Sequence, residues 1–227
     1  MNAILEKSDA ELKRDVLDEL MYEPSVKMTD IGVLVKNGAV TLTGFVESYG
    51  EKSNAVRAAK RVGGVNAIAD DIVVKLPDLH NRTDGEVAAA AANQLQYSTT
   101  IPTGAVQVIV REGLVTLEGQ VEWGYQRDAA EGAVKFLTGV TGVNNFIHVK
   151  PKLAAGDVKS AIESAFERSA LLDAKKIEVV TVNNKVTLRG KVRSYAELDE
   201  AARAAWSAAG VFEVDNQLKV EWAWLST

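Results

Sequence analysis

A five-residue pattern recurs three times in this chain and constrains its fold more than any other feature. It reads Val40-Thr41-Leu42-Thr43-Gly44, then Val115-Thr116-Leu117-Glu118-Gly119, then Val186-Thr187-Leu188-Arg189-Gly190. Each copy alternates apolar with polar side chains, as a strand with one buried face must. Each ends on glycine, a residue suited to places where the backbone bends or a side chain would clash. Anchors on either side move with the pattern. Leu12, Gly44 and Val65 correspond to Val87, Gly119 and Val140 at an offset of 75, and to Val158, Gly190 and Val211 a further 71 residues on. The anchors shift together, so the difference between the offsets falls in the connections, which Pro77-Asp78-Leu79-His80-Asn81 and Pro151-Lys152 mark. A self-similar period of this length is the signature of tandem units. Their boundaries are expected at 1–77, 78–151 and 152–227.

Local signals give the content of one unit. Leu12, Val16, Leu17 and Leu20 fall at helical spacing between Asp9 and Tyr22, and Pro24 stops the helix. Ile31, Val33 and Val35 alternate in a first strand. Asn37-Gly38 then predicts a type I′ hairpin, whose two central residues need positive φ, leading into a strand from Ala39 to Val46. Ser48-Tyr49-Gly50-Glu51 reads as a capping box at the start of a second helix, which runs through Ala55, Val56, Ala59 and Val62 to Gly63-Gly64. A last strand carries Val65, Ile68, Ile72 and Val74. The unit is therefore α-β-β-α-β, and the expected class is α+β: three repeats, each a small three-stranded mixed sheet with two helices on one face. A domain of about seventy residues buries only about 60% of its unfolded surface. The units are thus expected to pack on one another in one compact or gently curved array.

Each unit closes on the same run: Gly64-Val65 with Ile68, Asp70, Ile72 and Val74; Gly139-Val140 with Val143, Asn145, Ile147 and Val149; Gly210-Val211 with Val214, Asn216, Leu218 and Val220. Together with the hairpin ending in Val-x-Leu-x-Gly-x-Val, this resembles the BON domain family (bacterial osmotically-inducible protein Y and nodulation domain), three copies in tandem. The resemblance implies a stress role and binding at phospholipid interfaces, since many relatives sit in the periplasm or at the outer membrane. Another relative binds potassium in the cytoplasm. The family glycines carry over to Gly44, Gly119 and Gly190 as structural positions. Asp70, Asn145 and Asn216 lie in phase with the apolar face, where a polar side chain is expected to hydrogen-bond backbone at a strand bend.

Composition and charge narrow the chemistry. The chain has 227 residues, no cysteine, two histidines and a net charge of −5. Disulfides and thiolate chemistry are excluded, and a general nucleic-acid binder is disfavoured. The N-terminus lacks the apolar run of a signal peptide, and no segment has the ~18 consecutive apolar residues of a membrane span, so a cytoplasmic protein with access to the inner membrane surface is expected. There is no phosphate loop, no dinucleotide fingerprint and no serine elbow, and neither His80 nor His148 has a metal-ligand neighbour at helical or strand spacing. Gly139-Val140-Thr141-Gly142 matches the GxxG of RNA-binding KH domains but joins a helix to a strand, where those domains need it between helices. Neither catalysis, nor a cofactor, nor a metal is expected.

The units differ in charge: −2, −3 and 0 along the chain. Unit three places Lys185, Arg189, Lys191 and Arg193 in the phase opposite Val186, Leu188 and Val192, on the exposed sheet face. Trp206, Trp222 and Trp224 also fall in this unit, and indole rings favour headgroup depth. Lys185, Arg189, Lys191, Arg193, Trp222 and Trp224 thus form a candidate surface for anionic phospholipid headgroups or membrane-associated proteins, each cation worth about 1 kcal/mol near a charged membrane. The alternative is that these bases meet acidic units within the molecule and the tryptophans close a sheet end. Trp123 and Tyr125 are read as an N-terminal staple or as packing between units, and Tyr49 and Tyr195 near the same junction favour packing. Two further functions stay open: a scaffold that takes protein partners by strand addition at sheet edges, and a cation sensor.

Overall fold

Three sheets of three strands carry the chain. The structure is a computed structural model that describes residues 7–150 and 157–221. The first unit comprises α1 (Asp9–Tyr22), β1 (Ile31–Lys36), β2 (Ala39–Val46), α2 (Tyr49–Arg61) and β3 (Ala67–Val74). The second has α3 (Asp84–Tyr97), β4 (Val106–Arg111), β5 (Leu114–Val121), α4 (Gly124–Val134) and β6 (Gly142–Val149). The third has α5 (Val158–Arg168), β7 (Ile177–Val182), β8 (Lys185–Val192), α6 (Tyr195–Trp206) and β9 (Glu213–Val220). In every sheet the hairpin strands are antiparallel and the last strand joins the middle one in parallel. This is the α+β repeat read from the sequence. The last strand of unit one starts at Ala67 rather than Val65, which instead sits fully buried in the bend before it.

The elements start where local chemistry supplies partners. Ser8 and Thr83 cap α1 and α3, and the Glu11 and Glu86 carboxylates return the bond to the capping N–H at 2.9 and 2.8 Å. The first residue of each helix reaches further. The Asp9 carboxylate accepts from the Asn37 and Gly38 N–H groups, and Asp84 accepts from Glu112 and Gly113. These are the turn residues of the two hairpins, all at positive φ, so helix start and hairpin tip are tied together. Leu12, Val16 and Leu20 of α1 then pack with Ala55, Ala58 and Ala59 of α2 over Val40, Leu42 and Ile72 of the sheet. Each such Leu or Val contributes about 1.5–3 kcal/mol when fully buried.

The units close on one another. Tyr49, at the start of α2, packs on the core of unit two, where burial first and then the Glu131 carboxylate push its phenol pKa up. Gly50 lies against the Phe136 ring. The start of α4 repeats the move: Gly124 lies against Trp206, and the Arg127 guanidinium stands 4.4 Å from that ring. The start of α6 completes it, with the Tyr195 hydroxyl donating to the Asn66 carbonyl at 2.9 Å and Asp199 pairing with Lys60 at 2.9 Å. Unit one meets two, two meets three, and three meets one. A head-to-tail contact that returns to its origin makes a closed triangle, the compact one of the two arrangements expected from the repeat.

Candidate functional site

The glycine that ends each repeated pattern has φ of +116, +144 and +130° at Gly44, Gly119 and Gly190. A Cβ there would run into the carbonyl oxygen of Asp30, Ala105 or Lys176 on the neighbouring strand or the turn before it. Two residues before its strand's buried anchor, each of Asp70, Asn145 and Asn216 accepts a bond from the N–H of Ile72, Ile147 or Leu218 at 3.2 Å. The amides of Asn145 and Asn216 also donate to the helix carbonyls of Arg127 and Leu198. A carboxylate cannot donate, and in unit one the Lys52 ammonium bridges instead, 3.3 Å from Asp70 and 2.6 Å from the Ile72 carbonyl.

The four cations of unit three stand on the outer side of the sheet or at its corner, each with a partner. Parallel pairing sets Lys185 opposite Glu213 and Arg189 opposite Gln217. Lys185 lies 2.6 Å from Glu213, whose hydrogen bond and charge raise its pKa. Arg189 donates to Gln217 at 3.1 Å, and Lys191 lies 2.6 Å from Glu221. Arg193, one residue past the strand, pairs with Glu197 of α6. Their partners are acids and amides of the same unit, not of the acidic units. Trp222 and Trp224 lie outside the described residues. Trp206 is a junction residue, held between Gly124 and Arg127. Trp123 and Tyr125 lie 6.4 Å apart, with Tyr125 exposed.

Sequence reasoning missed a buried polar position. Glu51, Gln126 and Glu197 occupy the same place in the three units, and each is only 8% exposed. Glu51 does not complete the expected box with Ser48. Its two oxygens accept instead from the N–H groups of Lys27 and Glu47, at 2.7 and 3.1 Å. Gln126 uses one oxygen for the N–H groups of Glu122 and Trp123. The acid-or-amide identity at a fixed offset is the signal in the sequence, and a capping motif has the same pattern.

The outer faces and edges differ most. In unit one, Leu34, Phe45 and Val73 are exposed on the outer face, with Lys75 3.2 Å from the Phe45 ring. At the edges, β1, β4 and β7 each pair on one side only. A two-residue hairpin turn makes the flanking Arg111–Leu114 pair hydrogen-bonded, so the N–H and C=O groups of Val106, Val108 and Val110 point away from β5. The equivalent Ile31 and Val33 in unit one are 5% exposed, and Ile177 and Val179 in unit three 7% and 1%. Val106 and Val108 are only half-buried. The cause is on α3. Leu17 of α1 packs on its unit's core, whereas Ala92 stands at the same place in unit two. A groove of about 630 Å³ opens between Ala88, Ala92 and Leu95 on one side and Val106 and Val108 on the other.

Among the described residues no group of three or more His, Cys, Asp or Glu is placed to hold a metal ion, and no helix is long and apolar enough to cross a membrane. His80 ends a short 3-10 turn between units, and His148 is exposed on β6.

Comparison with known proteins finds the BON domain three times, at residues 8–75, 83–151 and 155–221. Osmotically-inducible protein Y of Escherichia coli (strain K12) is 31% identical over 151 residues, which span 63% of this chain and 73% of that protein. A 21 kDa hemolysin of Actinobacillus pleuropneumoniae is 30% identical over 115 residues, spanning 48% of this chain and 59% of that protein. Among solved structures, the C-terminal domain of CdsD, a structural protein of the type III secretion system of Chlamydia trachomatis, aligns over 95% of this chain and 100% of its own. Its identity is 14% and its TM-score 0.26, too low to bear on fold or partners.

Proposed function

This chain belongs to the BON domain family, and on that premise we propose that it is a non-enzymatic binding protein of the bacterial stress response, acting as a scaffold that takes protein partners by strand addition along β4. The stress assignment leans on the relative named for osmotic induction. One observation carries the binding mode: of the three equivalent edge strands, β4 alone has its leading two inward residues, Val106 and Val108, half-buried, with their outward backbone groups unpaired by any strand among the described residues. An added strand satisfies those groups and covers the valines in one step. Selection of displayed random peptides on the native chain, followed by binding to Val108→Pro, tests this. Proline removes the outward N–H of Val108 and leaves the ladder to β5 intact. Selected peptides are expected to lose the variant; peptides that bind both chains equally sink the edge reading.

Phospholipid attachment through unit three is a second reading with one supporting observation. The Lys191 and Arg193 side chains stay 64% and 55% exposed despite their partners, so they are free to exchange those partners for anionic headgroups. Vesicle flotation at low and high salt, with the double variant Lys191→Glu and Arg193→Glu, decides it. Salt-sensitive binding to anionic vesicles that the variant loses supports attachment there, and no binding by the native chain removes it.

A further inference from the structure

The groove beside β4 has a counterpart, and the contrast specifies an occupant. In unit three the equivalent groove, about 750 Å³, is lined by Glu163, Glu167, Asp173 and Lys175. In unit two Ala92, Gln96, Pro102 and Gly104 stand at those four places, and among the described residues no charged side chain lines the groove. Resting on the strand-addition reading above, we propose that the unit-two groove selects an extended segment whose every second residue is uncharged, apolar and about the size of valine.

Three observations converge on that chemistry. The unpaired groups of Val106, Val108 and Val110 require a partner in strand conformation, which presents alternate side chains to one face. An ionised side chain entering the groove would leave water with no counter-charge to meet it, whereas an apolar one covers Val106, Val108 and Leu95. The spacing fits as well: Ala88 and Ala92 are about 6 Å apart along the helix axis, and alternate residues of a strand about 6.6 Å. Two successive inward side chains can therefore each sit over one alanine. The sister units show what else the fold places there: unit one has Leu17, beside buried edge residues, and unit three has Glu163, which puts a charge on the groove wall. Both are residues this fold accepts there, so either can be installed at position 92 without threatening the unit.

The test is fluorescence anisotropy with three labelled nine-residue peptides: alternating threonine and valine, and the same peptide with glutamate or with lysine in place of valine. The full chain is expected to bind the valine peptide and both charged peptides at least roughly tenfold more weakly, and Ala92→Leu to lose roughly tenfold for the valine peptide. Equal binding of charged and valine peptides, abolished by Val108→Pro, overturns the proposed chemistry while strand addition stands. Binding of no peptide by any of the chains overturns strand addition itself. A native chain that sediments as a dimer, and as a monomer once Val108→Pro is introduced, makes the occupant a second copy and also overturns the proposal.

Discussion

The first and second units have the same strand order and register, yet one seals its edge strand and the other does not. In unit one a leucine on α1, the buried acid Glu51 and the strand-bend acid Asp70 surround the sheet. In unit two the same places hold Ala92, Gln126 and Asn145. The N–H bonds at the strand bend and from Glu47 or Glu122 survive the change from acid to amide, because an amide oxygen accepts as a carboxylate does, while the Lys27 N–H bond has no counterpart at Pro102. Side-chain volume does not survive it, and the lost leucine atoms become a groove. A repeat can thus keep its backbone through short polar contacts and vary its surface through a single apolar position.

The largest effect should be the one the units share. Gly44→Ala and Gly119→Ala each combine positive φ with a carbonyl clash, and each should cost about 3 kcal/mol or more by chemical denaturation. A mild result in one unit only would mean that the two backbones are not equivalent. Next comes the reciprocal exchange over the edge strand. Leu17→Ala should cost about 1–3 kcal/mol and speed hydrogen exchange at Ile31 and Val33, while Ala92→Leu should stay within about 1 kcal/mol of the native chain. Equal costs in both directions would show that the groove is an accident of packing with no bearing on stability.

The buried acid gives a smaller, asymmetric pair. Glu51→Gln turns an amide N–H toward a backbone donor and should lower stability by about 1–2 kcal/mol, whereas Gln126 accepts both its bonds on one oxygen, so Gln126→Glu should change little. Paired melts of the two variants measure that difference. Smallest is the response to acid. In unit one the Gly38 and Asn37 N–H groups lower the Asp9 pKa, Ser8 lowers that of Glu11, Ser25 that of Glu23 and Lys27 that of Glu47; in unit two Thr83 lowers that of Glu86. A depressed folded pKa contributes stability above the unfolded value near 4 and loses it as pH falls through the folded one. These groups are exposed, so the contribution is small. Below about pH 4, α1 should lose hydrogen-exchange protection before α3; the opposite order would show that the shifted acids do not govern unit one.

What could be read without coordinates was local. The strands, their buried phase, the hairpin turns and the three-unit plan follow from neighbours a few residues apart, and alternation alone placed Lys185, Arg189 and Lys191 on the outer face of β8. What those cations meet was not local. Glu213, Gln217 and Glu221 reach them only through the parallel register of β9, set by a helix crossover of some twenty residues. Glu51 likewise meets Lys27, 24 positions away, only in the folded chain. Closure of the triangle and the uncovered valines of β4 depend on which surfaces touch and how much volume stands between them. Periodicity determines the face on which a residue lies, but contact and void arise only when distant segments are packed together.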